Sequence, residues 1–187
     1  YSVATWQSIR DQVDPNHNTL WIAEGIDMSY QAVFDGHHLY SVTWNPPSDV
    51  GYTDAKFSRW VQAERERYAS YRYWVATVMP GYNDTRTGRG NAFVRGRDDG
   101  AYYVQTWQAA IASNPDWVII TSFNEWPEGT YIEPSAAYGD RYLGLTAEWA
   151  GRFKSGAAQA YTAPAASAAS PAVAAAMPAP TPAPSPT

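Results

Sequence analysis

The 187-residue chain contains no cysteine, which excludes disulfide bonds and thiolate metal sites. Histidine is scarce too: there are three, and the neighbours His37 and His38 would point to opposite faces of a strand. Two side chains that diverge in this way make a poor metal site. The histidines therefore give no reason to expect a bound metal.

Clustered positive charge is also missing. The formal net charge is −5, and no block of Lys and Arg stands out. Proteins that bind the phosphates of nucleic acid need such clusters to release counterions, so no nucleic-acid partner is expected. No apolar run approaches the roughly 20 residues that cross a bilayer, so no membrane partner is expected either.

The chain starts at Tyr1 and shows no signal peptide. We interpret it as a fragment of a longer protein rather than as a processed secreted chain. From Gly156 to Thr187 no residue is charged, and the segment is almost entirely Ala, Pro, Ser and Thr. Such a segment cannot bury enough apolar surface to order itself. Two regions are predicted: a folded domain over 1–155 and a disordered tail or linker over 156–187. Tails of this kind often follow secreted domains, so an extracellular location is expected.

Aromatic residues are abundant. They form 15% of the chain, with 9 Trp and 14 Tyr. Their flat apolar faces and polar edges suit the faces and hydroxyl rims of sugars. A core rich in Trp and Tyr would give the same composition, so composition alone leaves both interpretations open.

Helical and strand patterns alternate along residues 1–156. The patterns predict helices over 2–13, 53–71, 100–114 and 138–156, and strands over 18–25, 32–42, 73–82 and 116–123. Thr53 or Asp54 is the predicted N-cap of the second helix. This alternation predicts the α/β class with a parallel sheet, either a small doubly wound domain or half of an eight-stranded barrel. The link between the first two strands is too short for a full crossover helix.

A polar cluster follows each predicted strand, and ligand sites in such folds form where the strands end. The last cluster, "NEWPEG", contains Glu125 and Glu128, three residues apart across a proline. Paired carboxylates can divide the acid and base work of glycoside hydrolysis. A solvated acidic loop is the plainer interpretation, and local chemistry leaves the two about even.

The segment "PGYNDTR" and the later segment "YYVQTWQAAIASNPDWVIITSFNEWPEGTYIEP" resemble the C-terminal half of glycoside hydrolase family 99, which contains endo-α-1,2-mannosidases and endo-α-mannanases. The resemblance covers roughly residues 18–150, and "FDGHHLYS" is similar to an earlier strand of that family. It implies the C-terminal half of a (β/α)8 TIM barrel, with a carbohydrate substrate such as α-mannan or a mannose-containing glycan. It also implies that neither a metal nor a cofactor is needed.

In that family the two glutamates of the N-E-W-x-E motif are catalytic, and here they are Glu125 and Glu128. The resemblance implies a retaining mechanism in which Glu125 takes the proton of the sugar 2-hydroxyl and that oxygen attacks C1. Glu128 would protonate the leaving oxygen and then activate water. Asn124 and Trp126 are expected to line the sugar site.

Other loops supply further candidates for sugar contacts. They are Glu24, His38, Tyr40, Tyr82, Asp84 and Arg86. Arg86 could equally pair with Asp84 to hold its loop. Glu133 and Asp35 are interpreted as structural residues.

Two alternatives remain open at this stage. "YGDRYLG" resembles glycosyltransferase-like proteins of polysaccharide biosynthesis, which share the acidic loop. The missing half of the barrel allows an inactive carbohydrate-binding fragment, with unpaired strand edges that favour aggregation. A conventional barrel glycosidase, with its nucleophile on a distant strand, fits the three-residue spacing less well.

Overall fold

The computed structural model describes residues 1–44 and 49–156. Its helices are α1 (Val3–Val13), α2 (Val50–Tyr68), α3 (Ala101–Ala112) and α4 (Arg141–Lys154). Its strands are β1 (Ile22–Glu24), β2 (Gly36–His38), β3 (Tyr73–Val78), β4 (Tyr82–Asn83), β5 (Val94–Arg95) and β6 (Trp117–Ile120). The predicted tail lies outside the described residues from residue 157 onward.

The main sheet has four parallel strands in the order β1-β2-β3-β6. These are the four strands predicted from the sequence, so the α/β class with a parallel sheet is confirmed. Parallel strands end at the same edge of a sheet, and here the segments that follow β1, β2, β3 and β6 all leave from that edge. The expected shared site therefore has a physical basis.

One face of the sheet is covered by helices. Trp74, Ala76 and Val78 of β3 are buried against apolar side chains of α2, α3 and α4. Trp74 also donates its indole N–H to Ser113 Oγ at 2.8 Å, which ties β3 to the end of α3. The core of the fold therefore lies between the sheet and its helices.

The opposite face of the sheet is open at β6. The strand register places Trp117 beside Val75 and Ile119 beside Thr77. Trp117 is 41% exposed and Ile119 is 38% exposed, values that are high for large apolar side chains in a central sheet. Tyr73 stacks on Trp117 with ring centroids 4.6 Å apart, so this face carries a partly exposed aromatic surface.

One local prediction is wrong, one is confirmed, and one feature was not predicted. The predicted N-caps Thr53 and Asp54 are wrong: α2 begins at Val50, and both residues lie buried inside the helix. The link from β1 to β2 contains a single short 3-10 helix, Met28–Ala32, between two parallel strands, so the prediction that it is too short for a full crossover helix is confirmed. The antiparallel pair of β4 and β5 was not predicted, because strands of two residues show no alternation.

Among the described residues, no helix is long and apolar enough to cross a membrane.

Gly36 provides a test of the sheet packing. A Cβ at this position would lie 2.7 Å from Ile22 Cδ1 and 2.7 Å from the Tyr73 carbonyl oxygen, so β1 and β3 would have to shift. We expect Gly36→Ala to lower the free energy of unfolding by about 1–3 kcal/mol, the usual cost of overpacking. Urea unfolding followed by tryptophan fluorescence measures this.

The matched control is Gly144→Ala. Gly144 is an exposed helical residue of α4, and a Cβ there would meet nothing within 4 Å. Because alanine is the better helix former, this variant is expected to gain about 0.5–1 kcal/mol. Equal effects of the two substitutions would contradict the packing described for Gly36.

Candidate active site

The acidic loop after β6 closes on itself through backbone and hydroxyl contacts. Ser122 N–H donates to the Thr130 carbonyl at 3.0 Å, and Thr130 N–H donates to the Glu125 carbonyl at 3.2 Å. The Glu125 N–H donates to Ser122 Oγ at 2.9 Å. These bonds join both sides of the turn, so the backbone that carries Glu125 and Glu128 is fixed within the loop itself.

The loop is also bonded to its neighbour, β4. Asn83 N–H donates to the Glu128 carbonyl at 2.8 Å. This bond places the Glu128 backbone beside β4, which follows β3 rather than the strand that precedes the acidic loop. The position of Glu128 therefore depends on two segments that are distant in sequence.

An arginine holds the Glu128 side chain. Arg89 Nη1 donates to Glu128 Oε1 at 2.7 Å, lies 3.5 Å from Asp84 Oδ2 and donates to the Tyr82 hydroxyl at 3.3 Å. Arg89 is half exposed, so solvent weakens these ion pairs and they contribute little to stability. Their effect is to orient Glu128, whose Oε2 makes no hydrogen bond with a described residue.

Glu125 differs from Glu128 in its surroundings. It is partly buried, and its carboxylate makes no hydrogen bond or ion pair with a described residue. One carboxylate of the pair is therefore held by a cation, and the other is available to a ligand. The two glutamates therefore have different surroundings within one loop.

Tyr40 brings the end of β2 into the same site. Burial raises the pKa of the Tyr40 hydroxyl, and the negative charges of Glu128 and Glu125 raise it further. Tyr82 lies near the site as well, and burial together with Asp84 and Glu128 raises its pKa to about 12. Both phenols therefore stay protonated at neutral pH and can donate hydrogen bonds.

Glu24 and His38 lie side by side at the ends of β1 and β2. Glu24 Oε1 accepts a hydrogen bond from Tyr40 N–H at 3.2 Å, which connects this pair to the glutamate site. Burial lowers the pKa of His38, while Glu24 opposes that shift. His38 Nδ1 is buried and has no hydrogen-bond partner among the described residues.

Trp126 is held in the acidic loop by two side-chain contacts. Its ring stacks on Tyr131 at a centroid distance of 3.8 Å, and its indole N–H donates to Glu133 Oε2 at 2.7 Å. Glu133 thus has a structural contact, with the indole rather than with backbone amides. Trp126 remains 38% exposed, which leaves an aromatic face open beside the two glutamates.

The sequence from residue 2 to 154 matches the family model of glycosyl hydrolase family 99. The chain belongs to glycosyl hydrolase family 99. It is 34% identical over 138 residues to a human glycoprotein endo-α-1,2-mannosidase-like protein, covering 65% of this chain and 29% of the relative. It is 32% identical over 139 residues to the mouse glycoprotein endo-α-1,2-mannosidase, covering 66% and 29%.

Two solved structures of a family 99 endo-α-mannosidase from Bacteroides thetaiotaomicron resemble this chain. One has a TM-score of 0.61 at 28% identity and covers 77% of this chain and 47% of its own. The other, in complex with bis-tris-propane, has a TM-score of 0.63 at 30% identity, with coverages of 76% and 49%. The chain spans about half of each solved structure, and the predicted half of a (β/α)8 barrel is confirmed.

Several predicted site residues of this family 99 chain have local partners or lie apart from the glutamates. Asp84 is buried and accepts a hydrogen bond from Phe93 N–H at 2.8 Å, an arrangement that favours holding the loop over contacting a sugar. Its cationic neighbour is Arg89, so the suggested pairing of Asp84 with Arg86 is wrong. Arg86 lines a separate cavity with Asn83. Asn124 is exposed and stays a predicted sugar contact.

Two arginines of the site were missed by sequence reasoning. Arg89 is 39 residues away from Glu128, so no local spacing connects them. Arg97 donates to the carbonyls of Gly129 and Tyr131 at 2.9 and 2.7 Å. One signal was available: four arginines fall between residues 86 and 97 of an acidic chain.

No group of three or more His, Cys, Asp or Glu side chains that could hold a metal ion occurs within residues 1–44 and 49–156.

The indole of Trp126 reports on the fixed loop of this family 99 chain. We expect its N–H to exchange with solvent roughly tenfold more slowly than that of Trp117, because a hydrogen bond to a carboxylate contributes about 1.5–3 kcal/mol. Trp117 is similarly exposed, and its indole has no hydrogen-bond partner among the described residues. Heteronuclear NMR of the indole signals measures the two rates.

Two substitutions complete this test. Glu133→Ala should abolish the difference between the two indoles, whereas Glu133→Gln should keep most of it, since an amide oxygen still accepts the bond. Fast exchange at Trp126 in the unsubstituted protein would contradict the contact with Glu133.

Proposed function

We propose that the chain carries the catalytic carboxylates of a retaining, endo-acting α-mannoside hydrolase that cleaves mannan or mannose-containing glycans. The observation that supports this most directly is the presence of two carboxylates, Glu125 and Glu128, on one hydrogen-bonded loop of a family 99 chain. Relatives named endo-α-mannosidase support the substrate class. The chain corresponds to part of those relatives, so the activity belongs to the natural polypeptide that contains this sequence.

In the first step, Glu125 removes the proton from the 2-hydroxyl of the mannose unit. The O2 atom attacks C1, the bond from C1 to the leaving oxygen breaks, and Glu128 gives its proton to that oxygen. In an α-mannoside the axial 2-hydroxyl lies trans to the leaving group, which is the geometry that this displacement needs. The product is a 1,2-anhydro sugar and a free glycan end.

In the second step, Glu128 takes a proton from water as the water oxygen attacks C1. The bond from C1 to O2 breaks, and Glu125 returns its proton to O2. Two inversions at C1 give net retention. Glu128 must therefore act first as an acid and then as a base, and Glu125 the reverse.

The surrounding residues have supporting roles in this proposal. Arg89 holds Oε1 of Glu128 and leaves Oε2 for the leaving oxygen and then for water. Tyr40 donates a hydrogen bond near both carboxylates, and the exposed face of Trp126 packs against a sugar ring. The location of the natural protein outside the cell stays a proposal, supported by the Ala- and Pro-rich composition of residues 156–187.

The roles of the glutamates are tested in the natural polypeptide with α-mannan as substrate. Glu125→Gln and Glu128→Gln should each lower kcat by at least about a hundredfold, since each removes a proton-transfer group. The matched control is Glu148→Gln, the same chemical change at an exposed residue of α4 that pairs with Arg152. Reducing-end release measures the rates.

Normal turnover by Glu128→Gln would rule out the proposal. Transfer from a sugar nucleotide without hydrolysis would favour the biosynthetic alternative.

Participation of the 2-hydroxyl has its own test. A substrate in which the reacting mannose carries a 2-O-methyl group should bind but not be cleaved, because O2 has no proton to give to Glu125. Proton NMR of the unmodified reaction should show the α-anomer as the first product. Cleavage of the methylated substrate at a normal rate would exclude this mechanism while leaving the α-mannosidase activity intact.

A further inference from the structure

A cavity lies beside the two glutamates, and neither glutamate lines it. It has a volume of about 140 Å³. Its walls come from β4, from the residues around β5 and from the far side of the acidic loop. Three of the residues that line it are arginines, and we call it the arginine cavity: Arg86, Arg95 and Arg97, with Asn83, Gly129 and Tyr131 among the other lining residues.

The charge of the arginine cavity is one-sided. Among the described residues, no Asp or Glu lines it. This is unexpected in a chain with a net charge of −5. One carboxylate stands close by: Asp98 Oδ1 would be 3.0 Å from a Cβ on Gly96. The cavity itself presents guanidinium groups, which match oxyanions through their planar fork of donors.

Two of the three arginines are oriented by neutral carbonyl groups. Arg95 donates Nε to the Thr43 carbonyl at 3.0 Å, and Arg97 donates Nη2 to the Gly129 and Tyr131 carbonyls. Such bonds fix the direction of a guanidinium. Arg97 Nη1 is buried and has no hydrogen-bond partner among the described residues. The guanidinium of Arg97 is therefore fixed, and it packs against the rings of Tyr131, Tyr138 and Tyr142 rather than against a carboxylate of a described residue.

Arg86 is the third arginine and the most exposed one. It makes no hydrogen bond or ion pair with a described residue, in contrast to Arg89, which is occupied by Glu128 and Asp84. Because Arg86 is on the surface, it can close on a ligand without disturbing the core. It is also the arginine that can be changed with the least effect on folding.

The cavity shares a wall with the proposed catalytic site. Gly129 follows Glu128 directly, and Asn83 N–H bonds the Glu128 carbonyl. A group in the arginine cavity is thus one residue away from the backbone of Glu128. A glycan that crosses the glutamates could place a substituent there.

We propose that the arginine cavity binds a phosphate group carried by the glycan substrate, next to the bond that is cleaved. That the phosphate is attached to a mannose-containing glycan rests on the proposed function. That the cavity binds a phosphate group rests on the cavity residues alone. The cavity would make the enzyme selective for phosphorylated regions of a mannan. Neutral glycans would use the glutamate site without this contact.

The test is a binding measurement, so it does not depend on turnover. Isothermal titration of the natural polypeptide at low ionic strength compares mannose 6-phosphate, mannose and inorganic phosphate. We expect mannose 6-phosphate to bind most tightly, and its affinity to fall as salt is added. Arg86→Gln should weaken it roughly tenfold, because a hydrogen bond to a charged group contributes about 1.5–3 kcal/mol.

Arg59→Gln is the control. It makes the same change of charge at an exposed residue of α2, outside the cavity, and should leave the affinity unchanged. Circular dichroism of both variants checks the fold.

Equal affinities of the two variants for mannose 6-phosphate, or no preference for mannose 6-phosphate over mannose, would overturn the phosphate site. Equal binding of inorganic phosphate and mannose 6-phosphate would overturn the glycan-borne ligand. Hydrolysis of neutral mannan separately decides the proposed function.

Discussion

The geometry of the site depends on the contacts that the Arg97 guanidinium makes. It joins three parts of the chain: the segment after β5, the acidic loop and helix α4. Its carbon lies 4.7, 4.5 and 4.4 Å from the ring centroids of Tyr131, Tyr138 and Tyr142. Contacts of this type contribute about 0.5–2 kcal/mol each. Gly81 is part of the arrangement, because a Cβ there would lie 2.6 Å from Arg97 Cγ. The acidic loop is thereby attached to a rigid layer of aromatic side chains.

This anchoring explains how two glutamates three residues apart can differ. The loop backbone is fixed by its own hydrogen bonds and by Arg97, so the contrast between the side chains comes from what the neighbouring segment supplies. That segment, between β4 and β5, presents Arg89 to Glu128 and leaves Glu125 alone. The same short ribbon contributes Arg86 and Arg95 to the arginine cavity. One irregular insertion after β3 therefore shapes both sites.

The sequence was most informative where periodicity is strong. The four helices were predicted within three residues of their observed ends, because their apolar residues recur with clear spacing. The four strands were found but predicted too long: 18–25 stands for Ile22–Glu24, and 32–42 stands for Gly36–His38. The acidic loop was found because its residue types are unusual together. The start of α2 was misplaced because Thr53 and Asp54 look like caps but are buried inside the helix. Arg89 was missed because its partner is brought close only by the fold.

The order of the strands has a consequence for how the site comes into being. The groups that meet at the sheet edge come from segments between Glu24 and Glu128, and the last strand adds beside β3 across an intervening helix. Contacts between such distant segments form late in folding, because closing the long loops between them costs entropy before any stabilising contact is made. A partly folded chain that held its helices would still lack this arrangement of side chains. In this protein the candidate site is thus a property of the assembled sheet edge and not of any single segment of the chain.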